Sequence, residues 1–242
     1  MKKITFVLLS LLFASCNNYN SFDYPKTKTW KHGVYSKEDA RKYEKVFDGL
    51  EVDVIFSIKK NNIFVGRVEA DTSANVPLDV WLSKLEKPKK LRYWIDFKNL
   101  SEKNAAAACA VLDSLTEKYK IFDKVFVESR DIEALKIVKE EGYHVMYWVE
   151  NINYWKKKIN QTHKDSVLVC KIIREGIEEL HPHAISCEYT MYPILCDSFP
   201  EQNIHFWHTP KKYTPENVEY TKMMCEDKRV KIVLVDYPNP VD

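Results

Sequence analysis

The chain has 242 residues, 45% hydrophobic and 30% charged, with a formal net charge of +2 and only five glycines. That is enough apolar material for one domain with a sizeable core. The near-balanced charge carries no basic footprint, so a nucleic-acid partner is excluded from the expectations.

In chain order, Lys2 and Lys3 precede the apolar run ITFVLLSLLF, which is too short for a lasting membrane span and ends in small residues before Cys16. That pattern predicts an export signal over residues 1–15. Phe13-Ala14-Ser15-Cys16 resembles a bacterial lipobox, which implies lipidation of Cys16, a membrane anchor in the bacterial cell envelope facing the periplasm or the cell surface, and a polar tether over residues 16–27. A plain secretory signal with an incidental cysteine is the alternative. The five remaining cysteines, Cys109, Cys170, Cys187, Cys196 and Cys225, are odd in number and widely spaced, which fits neither a disulfide framework nor a zinc site. Cys187 and Cys196 are the one pair that could join in an oxidising compartment.

From residue 28 onward there is no internal repeat, low-complexity block or Pro/Gly linker, so residues 28–242 are expected to form one domain. Eight short β-like runs follow at residues 30–34, 49–57, 91–97, 124–129, 143–149, 183–189, 203–209 and 230–237. Helical segments lie between them. Ser101 can cap an alanine-rich helix running to Lys120, Asp131 can open one that Gly142 ends, and Thr214 followed by Pro215 marks another start. Residues 150–182, containing NINYWKKKINQTHKD, fit either a basic surface loop or a helix extension. Strands alternating with helices imply parallel pairing, and eight units in about 210 residues match a closed (β/α)8 barrel of the TIM type. An open doubly wound sheet is the competing fold, disfavoured because no glycine-rich turn follows the first strand.

In a barrel the chemistry gathers at the C-terminal ends of the strands. The second run, GLEVDVIF, places Leu50, Val52, Val54 and Phe56 on one face and Glu51 and Asp53 on the other. Two like charges on one face cost free energy unless a cation or a proton lies between them. Asp96 and Lys98 share a face on the third run. Glu128, Glu188, His205 and Trp207 fall late in later runs, and His32 falls in the first. Glu51, Asp53 and Asp96 together would make a hard oxygen site for Mg²⁺ or Ca²⁺. Ion pairing with Lys98, Arg67 or His32 is the account that needs no metal.

His32-Gly33, then Glu51-x-Asp53, then Asp96-x-Lys98 resembles the glycerophosphodiester phosphodiesterase and phosphatidylinositol phospholipase C-like superfamily of β/α barrels. Over residues 30–100, His32, GLEVDVIF, DVWL (79–82) and IDFKN are locally similar to its menorin (FAM151) branch, and FWHT is similar to a late strand of the phosphodiesterases. The resemblance implies His32 as a catalytic histidine, Glu51, Asp53 and Asp96 as ligands of a divalent cation, Lys98 as a phosphate-facing lysine, and a small phosphodiester or lipid head group as substrate. It also implies a second histidine after the strand that follows Glu-x-Asp, where this chain has Gly66 and Arg67. Arginine binds phosphate but is a poor general acid.

Three functions therefore stand as expectations. The first is a metal-assisted phosphodiesterase-like hydrolase using His32, Lys98 and Arg67, with Glu128, Glu188, His205 and Trp207 near the substrate. The second is a binding or scaffold lipoprotein that has lost turnover. The third is a carbohydrate-processing barrel using Trp30, Trp94, Trp148 and Trp207 with Glu128 and Glu188. Oligomeric state is left open.

Overall fold

The alternation of apolar runs with amphipathic stretches is realised as a wall of strands inside a layer of helices. A computed structural model describes residues 22–68, 76–158 and 163–242. Strand β1 (Thr29–Lys31) is followed by α1 (Lys37–Tyr43), β2 (Gly49–Ser57), β3 (Asn62–Val65), α2 (Leu78–Leu82), β4 (Arg92–Phe97) and α3 (Glu102–Tyr119). Then come β5 (Val125–Ser129), α4 (Ile132–Glu140), β6 (His144–Trp148), α5 (Ile152–Lys158), α6 (His163–Leu180), β7 (Ala184–Glu188), α7 (Tyr192–Ser198), β8 (Ile204–His208), α8 (Pro215–Glu226) and β9 (Val230–Val235).

Neighbouring strands run in the order β1-β9-β8-β7-β6-β5-β4-β2, and β1 also pairs in parallel with β2, which closes eight parallel strands into a TIM-type (β/α)8 barrel. Closure removes the open doubly wound alternative. The expected strand list lacks β3, an antiparallel arm folded back on β2 through a turn at Asn61, whose φ of 44° is left-handed. The expected helix signals are used. Ser101 forms a capping box with Asn104, Asp131 accepts from Ala134 N at 3.0 Å, and Thr214 accepts from Asn217 N at 3.3 Å. Among the described residues of 150–182, α5 (Ile152–Lys158) and α6 (His163–Leu180) take up most of the segment, which fits the helix extension.

The period of two divides each strand between two cores. On β2, Leu50, Val52, Val54 and Phe56 face the helices and join the large outer cluster, while Glu51 and Asp53 face the barrel axis. A separate inner cluster fills the barrel floor with Phe22, Trp30, Trp94, Phe126, Met146, Ala184 and Ile232. Gly49 opens β2 beside it: a Cβ there would lie 2.0 Å from the Trp30 ring, so only glycine lets strand and indole approach.

Phe22 corrects the expected tether. A polar tether to residue 27 would leave Phe22 and Tyr24 in solvent. Instead Phe22 is buried with its ring 4.1 Å from that of Phe126, because the barrel floor otherwise exposes an aromatic surface. The expected signal (residues 1–15), Cys16 and the rest of the tether up to residue 21 lie outside the described residues. Cys187 and Cys196, whose pairing the sequence left open, are both buried free thiols.

Candidate active site

The polar mouth begins where β1 ends. His32 is tied to the last strand by its own N–H, which donates to Val235 O at 3.0 Å, and its Nδ1 lies 2.9 Å from Asp236 Oδ1. A carboxylate only accepts, so Nδ1 carries the proton and Nε2 is left facing the cavity, 3.8 Å from Glu51 Oε2. Burial pulls the His32 pKa down, but the Asp236 hydrogen bond and the charge of Glu51 outweigh it and hold it above the ordinary histidine value. Gly33 then turns the chain at φ 65° and aims its N–H at Glu51 Oε2, 2.6 Å away.

β2 and β4 pair in register, with Asp53 opposite Asp96, and β5 continues the row with Glu128 opposite Asp96. One oxygen from each of Glu51, Asp53 and Asp96 lies within 4.8 Å of the others. The expected convergence of the three acids is therefore geometric fact. The alternative of ion pairing is present as well. Lys98 Nζ lies 2.6 Å from Asp53 Oδ1 and also bonds Asp96, and Arg67 Nε lies 3.2 Å from Asp53 Oδ2. Asp53 further accepts from the Tyr35 hydroxyl. Glu51 has the least help. Burial, reinforced by Asp53 and Asp96 and only partly offset by His32 and the Gly33 N–H, pushes its pKa up to about 7. Burial also raises Asp96 against the pull of Lys98.

The donor set fits a hard divalent cation. It is all carboxylate oxygen, it draws on two adjacent strands, and it retains one buried acid, Glu51, that among the described residues has no ammonium or guanidinium at contact distance.

These groups line a cavity of about 340 Å³ together with Arg130, Trp148, Asn151 and Trp207. Glu128 forms its floor. It accepts from Trp94 Nε1 at 2.8 Å and from the Ser186 hydroxyl, and it hydrogen-bonds Asp96. Burial, then the neighbouring Asp96 charge, raises its pKa well above the ordinary carboxylate value, against the pull of Ser186, Lys98 and Trp94.

Several expected residues are not at the mouth. His205 is fully buried in the barrel floor, accepting from the Tyr24 hydroxyl at 3.0 Å and lying 2.9 Å from Met146 Sδ, because it sits one residue into β8 while the mouth is at that strand's end. Burial lowers its pKa to about 3. His208 has the opposite parity and lies 2.8 Å from Thr221 on α8, outside the barrel. Neither reaches the place of a second catalytic histidine, and among the described residues His32 alone of the histidines lines the cavity. Arg67 is at the rim with 67% of its side chain exposed. Glu188 accepts from Thr190 and does not line the cavity, so the expected Glu128–Glu188 carboxylate pair is not assembled. Trp30 and Trp94 are fully buried, so of the four tryptophans weighed for sugar stacking only Trp148 and Trp207 are half-buried groups at the mouth.

Asp236, Tyr35, Ser186 and Arg130 were not among the expected residues. Asp236 had a signal: it is the acid at the end of the last strand, which barrel closure must bring beside the first. Arg130 lines the cavity, while Tyr35 and Ser186 reach its acids only through hydrogen bonds to Asp53 and Glu128, which the fold alone brings together.

No protein-family profile and no curated protein sequence matches the chain. Solved structures do. It superposes on a glycerophosphodiester phosphodiesterase from Parabacteroides distasonis with a TM-score of 0.60 and 13% identity, covering 88% of this chain and 95% of that one. An enzyme of the same name from Thermotoga maritima gives a TM-score of 0.58 at 14% identity, with coverage of 89% and 96%. A phosphodiesterase from Oleispira antarctica, in complex with the product sn-glycerol-3-phosphate, gives 0.61 at 11% identity, with coverage of 89% and 94%. At such identities the likeness establishes the shared barrel and no more.

Proposed function

We propose that this chain is an exported, lipid-anchored hydrolase of small phosphodiesters. In this reading Glu51, Asp53 and Asp96 hold a divalent cation, Mg²⁺ or Ca²⁺, His32 is the general base, and Cys16 carries the anchor that places residues 28–242 in the cell envelope. The observation that carries the proposal is the convergence of three carboxylate oxygens within 4.8 Å, beside an oriented imidazole and an ammonium, in one cavity. The phosphodiesterase neighbours support it by analogy of fold. The local likeness of residues 30–100 to the menorin branch supports the same assignment of His32, Glu51 and Asp53.

A divalent cation held by these acids would polarise a phosphoryl oxygen. The chain's own groups supply the rest. Asp236 fixes the His32 tautomer so that Nε2 can take a proton from water or from a hydroxyl neighbouring the phosphate. Gly33 N–H steadies Glu51, and Lys98 offers positive charge to phosphate oxygens from the edge of the acid cluster. With Arg67 where a second histidine is expected, the leaving alkoxide takes its proton from solvent. Turnover should then be slower by about 10²- to 10⁴-fold than with two histidines.

The test is hydrolysis of sn-glycero-3-phosphocholine and of a chromogenic phosphodiester by the full chain in EDTA, Mg²⁺ and Ca²⁺, with His32→Ala alongside. Divalent-dependent cleavage lost in the variant is expected. Equal rates for variant and wild type, or indifference to the ion, would overturn the assignment. Divalent-dependent binding of sn-glycerol 3-phosphate without cleavage would make the barrel a binding lipoprotein instead.

A further inference from the structure

Four cationic side chains line the mouth cavity, and three have acidic partners. His32 bonds Asp236 at 2.9 Å, Arg67 lies 3.2 Å from Asp53 Oδ2, and Lys98 lies 2.6 Å from Asp53 Oδ1. The fourth, Arg130, has no carboxylate within ion-pairing distance among the described residues. Its guanidinium carbon instead lies 4.1 Å from the centroid of the Trp148 ring. Trp148 in turn is nearly parallel to Trp207, with centroids 6.2 Å apart and an interplanar angle of 13°.

This stack has a consequence for binding. A guanidinium lying over an indole uses its flat face for the ring and keeps its in-plane N–H donors free at the edge, in the fork geometry that carboxylates and phosphates match. The aromatic contact also restrains the long side chain, so less rotamer freedom is lost when an anion arrives. Arg130 follows β5, and Trp148 and Trp207 lie on β6 and β8. The strand order places that arc of the mouth away from β1 and β2, which carry His32, Glu51 and Asp53. The row of acids with their paired side-chain cations runs from β2 through β4 to Glu128 on β5, and just past the end of β5 it gives way to an uncompensated guanidinium on an aromatic shelf that continues over β6 and β8.

We propose that Arg130, Trp148 and Trp207 form a second subsite that recognises an anionic group on the alcohol portion of the substrate. The preferred phosphodiester then carries a carboxylate or a second phosphate on its head group, and a quaternary ammonium head group is disfavoured because the Arg130 charge repels it. This rests on the reading above only in placing the scissile phosphate at the acid cluster. Arg130 is a specificity residue and takes no part in the bond-breaking step.

Two matched pairs of soluble diesters test it with the full chain. Glycerophosphoserine and glycerophosphoethanolamine differ by one carboxylate, and glycerophosphoinositol 4-phosphate and glycerophosphoinositol differ by one phosphate. The wild type should favour the anion-bearing member of at least one pair in kcat/KM, mainly through KM, and the preference should weaken as salt rises. Loss of a charge-assisted hydrogen bond predicts that Arg130→Ala narrows that ratio by roughly tenfold, with Arg130→Lys restoring part of it. Whichever pair responds more identifies the anion. A ratio near one in the wild type, or an equal ratio in wild type and Arg130→Ala, overturns the subsite. Calorimetric binding of the same pairs separates this from the reading above: if nothing is cleaved the hydrolase assignment falls, and the binding ratio still decides Arg130.

Discussion

The mouth and the floor of this barrel are built by the same strands and the same inward parity, yet they hold polar groups on opposite terms. At the mouth, acids are crowded with cations and left incompletely compensated: Glu51 is pushed up to about 7 by burial and like charges, and burial with the Asp96 charge raises Glu128 well above the ordinary carboxylate value. At the floor, polar groups are few and absorbed into packing. His205 is enclosed by aromatic rings, with Trp94 at 5.6 Å, Phe126 at 4.9 Å and Tyr24 at 5.7 Å, and is held neutral. Two residues further along β8, Trp207 is at the mouth. Depth along the strand, a matter of about 7 Å at the usual rise, separates residues for chemistry from residues for stability.

The sharpest way to break that comparison is to remove the crowding. Glu51→Gln combined with Asp53→Asn should reduce divalent-dependent cleavage on the order of 10³-fold, the scale of losing a main source of transition-state charge stabilisation. It should also abolish any rise in melting temperature with Mg²⁺ or Ca²⁺. In EDTA the variant should melt close to wild type, because relief of the buried Glu51 charge offsets the loss of the Asp53 pairs with Lys98 and Arg67, and Lys98 keeps Asp96 as its partner. A large fall in the melting temperature would show that the mouth acids hold the fold together and are not spent on a cation.

The floor should behave in the opposite way. Phe22→Ala removes a buried ring that contacts Trp30, Phe126 and His144. Truncations of this kind cost about 3 to 5 kcal/mol, or roughly 10 °C for a domain of this size. The folded fraction should keep its kcat/KM. Loss of activity without loss of stability would mean that floor and mouth are coupled.

How much of this was legible follows from the same distinction. The period of two reveals which face of each strand points inward, so Glu51, Asp53, Asp96 and Glu128 could be placed on one surface from alternation alone. Height is harder to read. It depends on the stagger between strands, which is why His205 was expected at the mouth and lies at the floor. Barrel closure hides a different class of partner: His32 and Asp236 are separated by 204 residues and joined only because β9 returns to β1. Phe22 was hidden because its neighbours are polar and its burial depends on a surface that exists only once the barrel has closed. Arg130 lies just past the end of β5, where no strand pattern extends.

The His32–Asp236 pair offers a test within the mouth. Asp236→Asn keeps the size of the side chain but removes the charge that raises the His32 pKa. Disturbing such an orienting partner commonly costs about 10- to 100-fold. A general base must be unprotonated, so the rate should rise as pH increases through the His32 pKa. In the variant that rise should occur at lower pH, because the protonated form has lost its counter-ion. An unmoved acid limb would remove Asp236 from the catalytic arrangement.

The smallest expected effect concerns the charge state of the floor. His205 has a folded pKa lowered by burial from 6.5 to about 3, so between these values the unfolded chain binds a proton that the folded chain does not. Stability therefore falls as pH falls through that window, by about 1.4 kcal/mol per pH unit for one such group. His183, lowered to about 4 by burial beside His144, acts in the same direction, so the absolute slope is shared. The difference between wild type and His205→Gln isolates the floor residue. Urea titrations at pH 6.5 and 5.5 should show wild type losing more stability than the variant, by at most about 1.4 kcal/mol. Equal losses would mean that His205 can take a proton in the folded state, and that water reaches a floor which Phe22 and Tyr24 are placed to seal.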